Sequence, residues 1–204
     1  MAVRENELRC HELMLRLADR LPDRHLWRFR DWLAGDAAGV VAQVLPGILV
    51  RERIGLDDAE HRLLSEALSP LGADPAVVGS VPPADPAAVP RHSFSAEGVR
   101  DGVADSALLV LGATLRGRPG VREVRHSWRS TGGSGSKLVV LVTASADVIG
   151  LTGEVQRVLR ALGELEPCVE VLPPELEPTD YHRAALDESV LVCAGAEELA
   201  GRRG

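Results

Sequence analysis

The sequence predicts an α+β protein made of a helical N-terminal part and a C-terminal part built on a β-sheet. Three observations predict this class. Residues 1–80 repeat apolar side chains at helical spacing. Residues 81–91 hold four prolines and almost no large apolar side chain, which is typical of a semi-stiff linker. KLVVLVTA, at 137–144, is apolar on both faces of a strand, as expected at the centre of a sheet.

These observations divide the chain into a helical domain (1–80), a proline-rich linker (81–91), an α+β domain (92–193) and a polar tail (194–204). In the helical domain we expect a bundle of four or five short helices, the first over residues 5–20. Pro46, followed by Gly47, is expected to kink or break the third helix. Acidic residues that can accept hydrogen bonds from first-turn N–H groups mark the helix starts: Asp23, Asp57 with Glu60, and Asp74.

The second domain is expected to alternate strands and helices. Strand 121–129 should be half-buried, because Val124, His126 and Trp128 alternate with polar side chains. The predicted order is a weak strand (92–96), a helix from Asp105 or Ser106 to Gly117, strand 121–129, a Gly/Ser loop (131–136), strand 137–144, a helix capped by Thr152 or Asp147, strand 168–172, a short helix (179–186) and strand 189–193.

This order fits the ferredoxin-like, split βαβ arrangement, with one sheet and two helices on one of its faces. Many unrelated activities use that fold. The predicted architecture therefore gives no function by itself.

Composition narrows the class of protein. No apolar run reaches the length of a membrane span, and the charged N-terminus lacks an export signal. The three cysteines lack CxxC spacing, which favours free thiols in a reducing compartment. A net charge of −7 argues against binding nucleic acid or an anionic membrane over the whole surface. We therefore expect a cytoplasmic protein, and the arginine- and alanine-rich composition suggests a bacterial source.

Catalytic, cofactor and metal motifs are not found in the sequence. TGGSGSK, at 131–137, resembles a phosphate loop, but a strand follows it instead of a helix and Leu138 stands where Ser or Thr is required. The six histidines have no metal-binding spacing, and Asp57 to His61 is explained as a helix start. We expect no enzyme activity, no cofactor and no metal.

The segment from Arg116 to Lys137 is the one strong departure from the average charge. It carries +5, whereas the rest of the chain carries −12. Such a basic hairpin could be a solvated face that complements acidic residues of the same molecule, or it could bind an acidic partner. Trp27 falls off the apolar stripe of its helix, so it either covers a seam between helices or anchors a partner. The candidate partner-binding residues are Arg122, Arg125, Trp128, Arg129, Lys137 and Trp27.

The leading hypothesis is a non-enzymatic adaptor that binds another protein. The acidic surface of that partner would face the basic hairpin. One alternative is a regulatory sensor that holds a small molecule in the ferredoxin-like domain. Nucleic-acid binding through hairpin 116–137 is a further alternative. It is the weaker one, because RNA-binding sheets of this kind stack bases on aromatic residues, and strand 137–144 has none.

Overall fold

A computed structural model describes residues 2–85, 92–98, 102–131 and 134–195. In these ranges the chain is a mixed α+β protein with eight α-helices and a five-stranded mixed sheet, which confirms the predicted class. It divides into two compact units, residues 1–90 and 91–204. None of the helices in the described ranges combines the length and apolar character needed to cross a bilayer.

The N-terminal unit is helical. Its core is formed by the apolar faces of the first four helices. The helices are α1 (Ala2–Arg16), α2 (Asp23–Ala34), α3 (Ala38–Arg51), α4 (Asp58–Leu68) and α5 (Pro75–Val78). The structure does not confirm a bundle arrangement for them.

Of two helix boundaries predicted in this unit, one is present and one is not. Asp57 and Glu60 form the expected capping box, in which Asp57 accepts from the Glu60 N–H at 2.8 Å and Glu60 accepts from the Asp57 N–H at 3.1 Å. Pro46 was expected to kink or break the helix; the break is wrong, because α3 continues through Pro46. Leu45 and Leu49 on either side of Pro46 are fully buried, and this packing outweighs the one hydrogen bond that proline removes.

The first residues of the predicted linker are attached to the N-terminal unit. Leu56 donates its N–H to the Pro82 carbonyl at 3.0 Å and accepts from the Ala84 N–H at 2.8 Å. Val81 is buried. The rest of the predicted linker, 86–91, lies outside the described residues, as does the tail from residue 196.

The C-terminal unit follows the predicted element order, with the two hairpin strands in succession and a helix between the other strands. The elements are β1 (Ser93–Ser95), α6 (Gly102–Leu115), β2 (Val121–Thr131), β3 (Ser134–Ala144), α7 (Val148–Ala161), β4 (Cys168–Leu172), α8 (Asp180–Asp187) and β5 (Val190–Ala194). α6 begins before the expected Asp105 or Ser106 and ends near Gly117, whose φ of 70° is a conformation that glycine adopts without strain.

The sheet has β3 between β2 and β4, while β1 and β5 share the far edge of β2. β5 pairs with the first half of the long strand β2 and β1 pairs with its last residues, both antiparallel. β3 and β4 are direct parallel neighbours joined by α7. A split βαβ unit would leave the width of one strand between them, so the ferredoxin-like arrangement is not confirmed.

Helices cover both faces of the sheet. α6 and α7 pack on the face that carries Val124, Trp128, Val140 and Val142. α8 lies on the opposite face, where its side chains meet β2 and β4. The expectation of two helices on a single face therefore omitted α8. This double cover explains why β3 is buried from Leu138 to Val142.

Candidate functional site

The predicted basic hairpin exists as β2 and β3, but it is not one exposed basic face. Trp128 is only 4% exposed and Arg129 only 6%. Trp128 packs in the core under α6 and α7, and the backbone at Gly98 lies so close to its indole that an added Cβ would be 2.1 Å from Cδ2. Arg129 lies under α8 and donates to the Tyr181 hydroxyl at 3.1 Å. Both side chains are almost completely covered in the folded unit, so they offer little surface to a protein partner.

Other cations of the hairpin face acidic side chains of the same unit. Arg125 donates to Glu123 at 3.1 Å and to the Ser189 hydroxyl at 2.7 Å. Lys137 Nζ lies 3.9 Å from carboxylate oxygens of both Glu164 and Glu166. Such pairs leave little positive charge for a partner.

Arg118, also in the basic segment, donates to Glu154 at 2.6 Å. Arg116 and Arg122 differ from these residues, because both are exposed and neither forms an ion pair with any described residue. The accessible positive charge of the segment is therefore concentrated at these two arginines.

Trp27, the candidate in the N-terminal unit, is half-buried on α2. The guanidinium carbon of Arg28 lies 5.5 Å from the centroid of its ring, within the range of a cation–π contact. Part of the ring is therefore already covered within the unit.

A buried polar cluster lies between α8 and the sheet, and among its members only Arg129 was a predicted candidate. His182 Nε2 is 3.1 Å from Glu170 Oε2, and the two side chains are 0% and 1% exposed. The other ring nitrogen of His182 is 2.9 Å from the Thr179 hydroxyl. Thr179 is also the N-cap of α8 and accepts from the His182 N–H.

Charged and polar groups of this cluster act on one another in a buried environment. Burial raises the pKa of the Tyr181 phenol well above its ordinary value, the Glu170 carboxylate adds to this, and Arg129 opposes it. A Glu–His–Thr chain resembles a proton relay, but here the histidine and the carboxylate are sealed from solvent. This arrangement can orient and hold α8, and it leaves no opening for a substrate at the Glu–His pair. A glutamate inside the apolar strand CVEVL was the sequence signal that could have revealed it.

The cysteines carry no reactive site. None of the three forms a disulfide, and all three are buried. Burial and the nearby charge of Glu7 raise the pKa of Cys10 to about 12, and burial also raises the pKa of Cys193. Across the ranges that the structure describes, no group of His, Cys, Asp and Glu side chains could hold a metal ion.

An exposed surface of mixed character lies where α6 packs beside β5, and we call it the α6–β5 surface. A groove of about 450 Å³ runs across it. Leu109 of α6 is 75% exposed and Leu191 of β5 is 41% exposed, and Arg116 also lines the groove. Arg122 is near the end of β5, because its carbonyl accepts from the Gly195 N–H at 2.7 Å.

A second cavity, of about 370 Å³, lies between α6, α7 and the β2–β3 hairpin. Its wall is apolar on the α6 side, whereas Lys137 and Glu164 line it elsewhere. Trp128 also lines it, and the indole N–H is buried without a hydrogen-bond acceptor among the described residues. An unpaired buried N–H costs free energy that a bound acceptor would recover.

Comparisons with known proteins add no further constraint. The chain matches no protein-family model, and no curated protein or solved structure is significantly similar to it. Function must therefore be argued from the surfaces and cavities themselves.

Proposed function

We propose that this chain is a non-enzymatic, cytoplasmic protein–protein interaction module whose α6–β5 surface docks a partner. The observation that carries the proposal is the combination of exposed leucines with two arginines that no described acid neutralises. Contiguous exposed apolar area rimmed by charge is typical of protein interfaces. The partner surface is expected to be apolar at its centre and acidic where it meets Arg116 and Arg122.

This proposal moves the docking surface away from the middle of the hairpin. The proposed surface contains Leu109 and Leu191 in place of the predicted Trp128 and Arg129. It keeps the predicted Arg122 and also includes Arg116. Arg125 and Lys137 contribute less, because acids of the same unit already face them. The buried state of Glu170 and His182 supports a structural role for the cluster that most resembles a catalytic one.

The test is quantitative capture of partners by the purified full chain. Leu109→Asp should abolish capture, because an exposed apolar contact is replaced by a charge that repels an acidic partner. Leu165→Asp is the matched control: Leu165 is 77% exposed but precedes β4, at the opposite edge of the sheet. Equal capture by both variants would refute the docking surface.

A small-molecule sensor is the second candidate, because the cavity beside Trp128 combines apolar walls with an unpaired indole N–H. Its volume lies within the range of ligand pockets. A ligand with an apolar body and a hydrogen-bond acceptor should raise the melting temperature of the wild type. Ala107→Leu would fill the cavity and should remove that shift; a shift that persists would place the ligand elsewhere.

A further inference from the structure

The outer edge of β5 is an exposed strand edge. β5 pairs with β2 along one side, and no strand in the described ranges pairs with its other side. Val190 and Leu191 are both exposed, and residues 190–194 contain neither a charged residue nor a proline. Proteins usually protect such edges with lysine, proline or a covering element. An edge with these features is suited to pairing with another strand.

The two ends of β5 carry opposite charge. Asp187 and Glu188 are exposed immediately before the strand. Arg122 and Arg116 lie at its other end, where Gly195 bonds to the Arg122 carbonyl and the charge of Arg116 acts on Cys193. None of these four side chains forms an ion pair within the described part of the chain. Among the described residues, the strand is therefore flanked by acids at its start and by arginines at its end, with an apolar middle.

We propose that the partner of the α6–β5 surface is a second copy of this chain, whose β5 pairs antiparallel with the first β5 across a twofold axis. The inference rests on the proposed docking function and names its partner. With the axis near Val192, the acidic start of each strand lies opposite the basic end of the other. The same patch serves on both subunits, as a twofold interface requires, and the two sheets become one continuous sheet.

The charges at the two ends of β5 favour an antiparallel second copy over a parallel copy or a uniformly acidic partner. A parallel arrangement would bring like ends together, which is unfavourable. A uniformly acidic partner would be attracted by Arg116 and Arg122 but repelled by Asp187 and Glu188. In the antiparallel pair, Arg122 on β2 of one copy lies about two strand spacings, or about 10 Å, from the strand β5 of the other copy, whose acidic start faces it. That distance is close to one Debye length at 0.1 M salt, so the attraction is only partly screened.

Two charge-reversed variants of the full chain test the pairing by sedimentation velocity. The first, Asp187→Arg with Glu188→Arg, makes both ends of β5 basic. The second, Arg116→Glu with Arg122→Glu, makes both ends acidic. Each alone should dimerise about 100-fold more weakly than the wild type, because like charges then face each other at both ends. An equal mixture should form a dimer of one copy of each, because opposite charges again meet at both ends.

Matched variants separate pairing from misfolding and from the broader docking function. Arginine at the end of α8 is favourable for the helix dipole, so the first variant should fold, and circular dichroism checks both. Leu191→Asp, added to both charge-reversed variants, should prevent their mixed dimer. Leu165→Asp, introduced into the wild type, should leave the wild-type dimer intact. A monomeric wild type, or an undiminished dimer in either charge-reversed variant, would overturn the inference. If the wild type is monomeric but Leu109→Asp still loses a different protein partner, the docking function stands without self-pairing.

Discussion

Replacing Glu170 with leucine tests the buried cluster beneath α8. Leucine has a similar volume and suits an apolar strand, so the substitution mainly removes the acceptor and the charge. His182 Nε2, 3.1 Å from the carboxylate, would lose its partner where neither side chain is exposed by more than 1%. The substitution would also remove the Glu170 charge, whose effect on the pKa of Tyr181 opposes that of Arg129. Removing one member of a buried pair typically costs about 3–5 kcal/mol.

The loss should be visible as stability of the C-terminal unit in the full chain. For a unit of this size, about 3–5 kcal/mol corresponds to a fall of about 10–20 °C in melting temperature. Hydrogen exchange of peptides from β4 and α8 measures the same loss locally. Glu170→Gln is the control, because it keeps a carbonyl acceptor for His182 and should cost less. If Glu170→Leu melts within about 2 °C of the wild type, the pair does not hold α8 to the sheet.

Three further predictions concern burial and the domain boundary. Tyr181 is the only tyrosine, and burial raises its pKa, so tyrosinate absorbance should stay absent at pH 10 in the folded protein and appear with a midpoint near 10 in urea. The stability that this shift contributes is fully present below pH 10 and is lost as the pH rises through the folded pKa. Val140→Asp should destabilise the C-terminal unit by several kcal/mol in urea titration, because Val140 is fully buried; a midpoint equal to wild type would remove β3 from the core. Limited proteolysis should cut first within residues 85–91, after the part of the linker that Leu56 holds; first cuts inside α4 or β3 would contradict the boundary.

The sequence by itself determined the local features of this protein. The α+β class, the approximate position of each strand and the capping box of α4 follow from side-chain periodicity and from bonds between residues three apart. The predicted loop 131–136 is too long, because β2 extends to Thr131 and β3 already begins at Ser134. β4 occupies the predicted residues 168–172, because an apolar run of that length between turn residues forms a strand in most surroundings. The basic segment was also visible as a local excess of charge.

The tertiary structure decided what each side chain faces. Alternation along β2 correctly separated Val124 and Trp128 from Arg125 and Arg129, but it could not show that α8, some fifty residues later in the sequence, would cover the second face. Burial by that helix removes Arg129 from the surface and creates the Glu170–His182 pair. The α6–β5 surface likewise depends on β1 and β5 sharing one edge of β2. Strand order and helix placement arise from contacts between distant segments, whose energies outweigh local preferences and leave no periodic signal in the sequence.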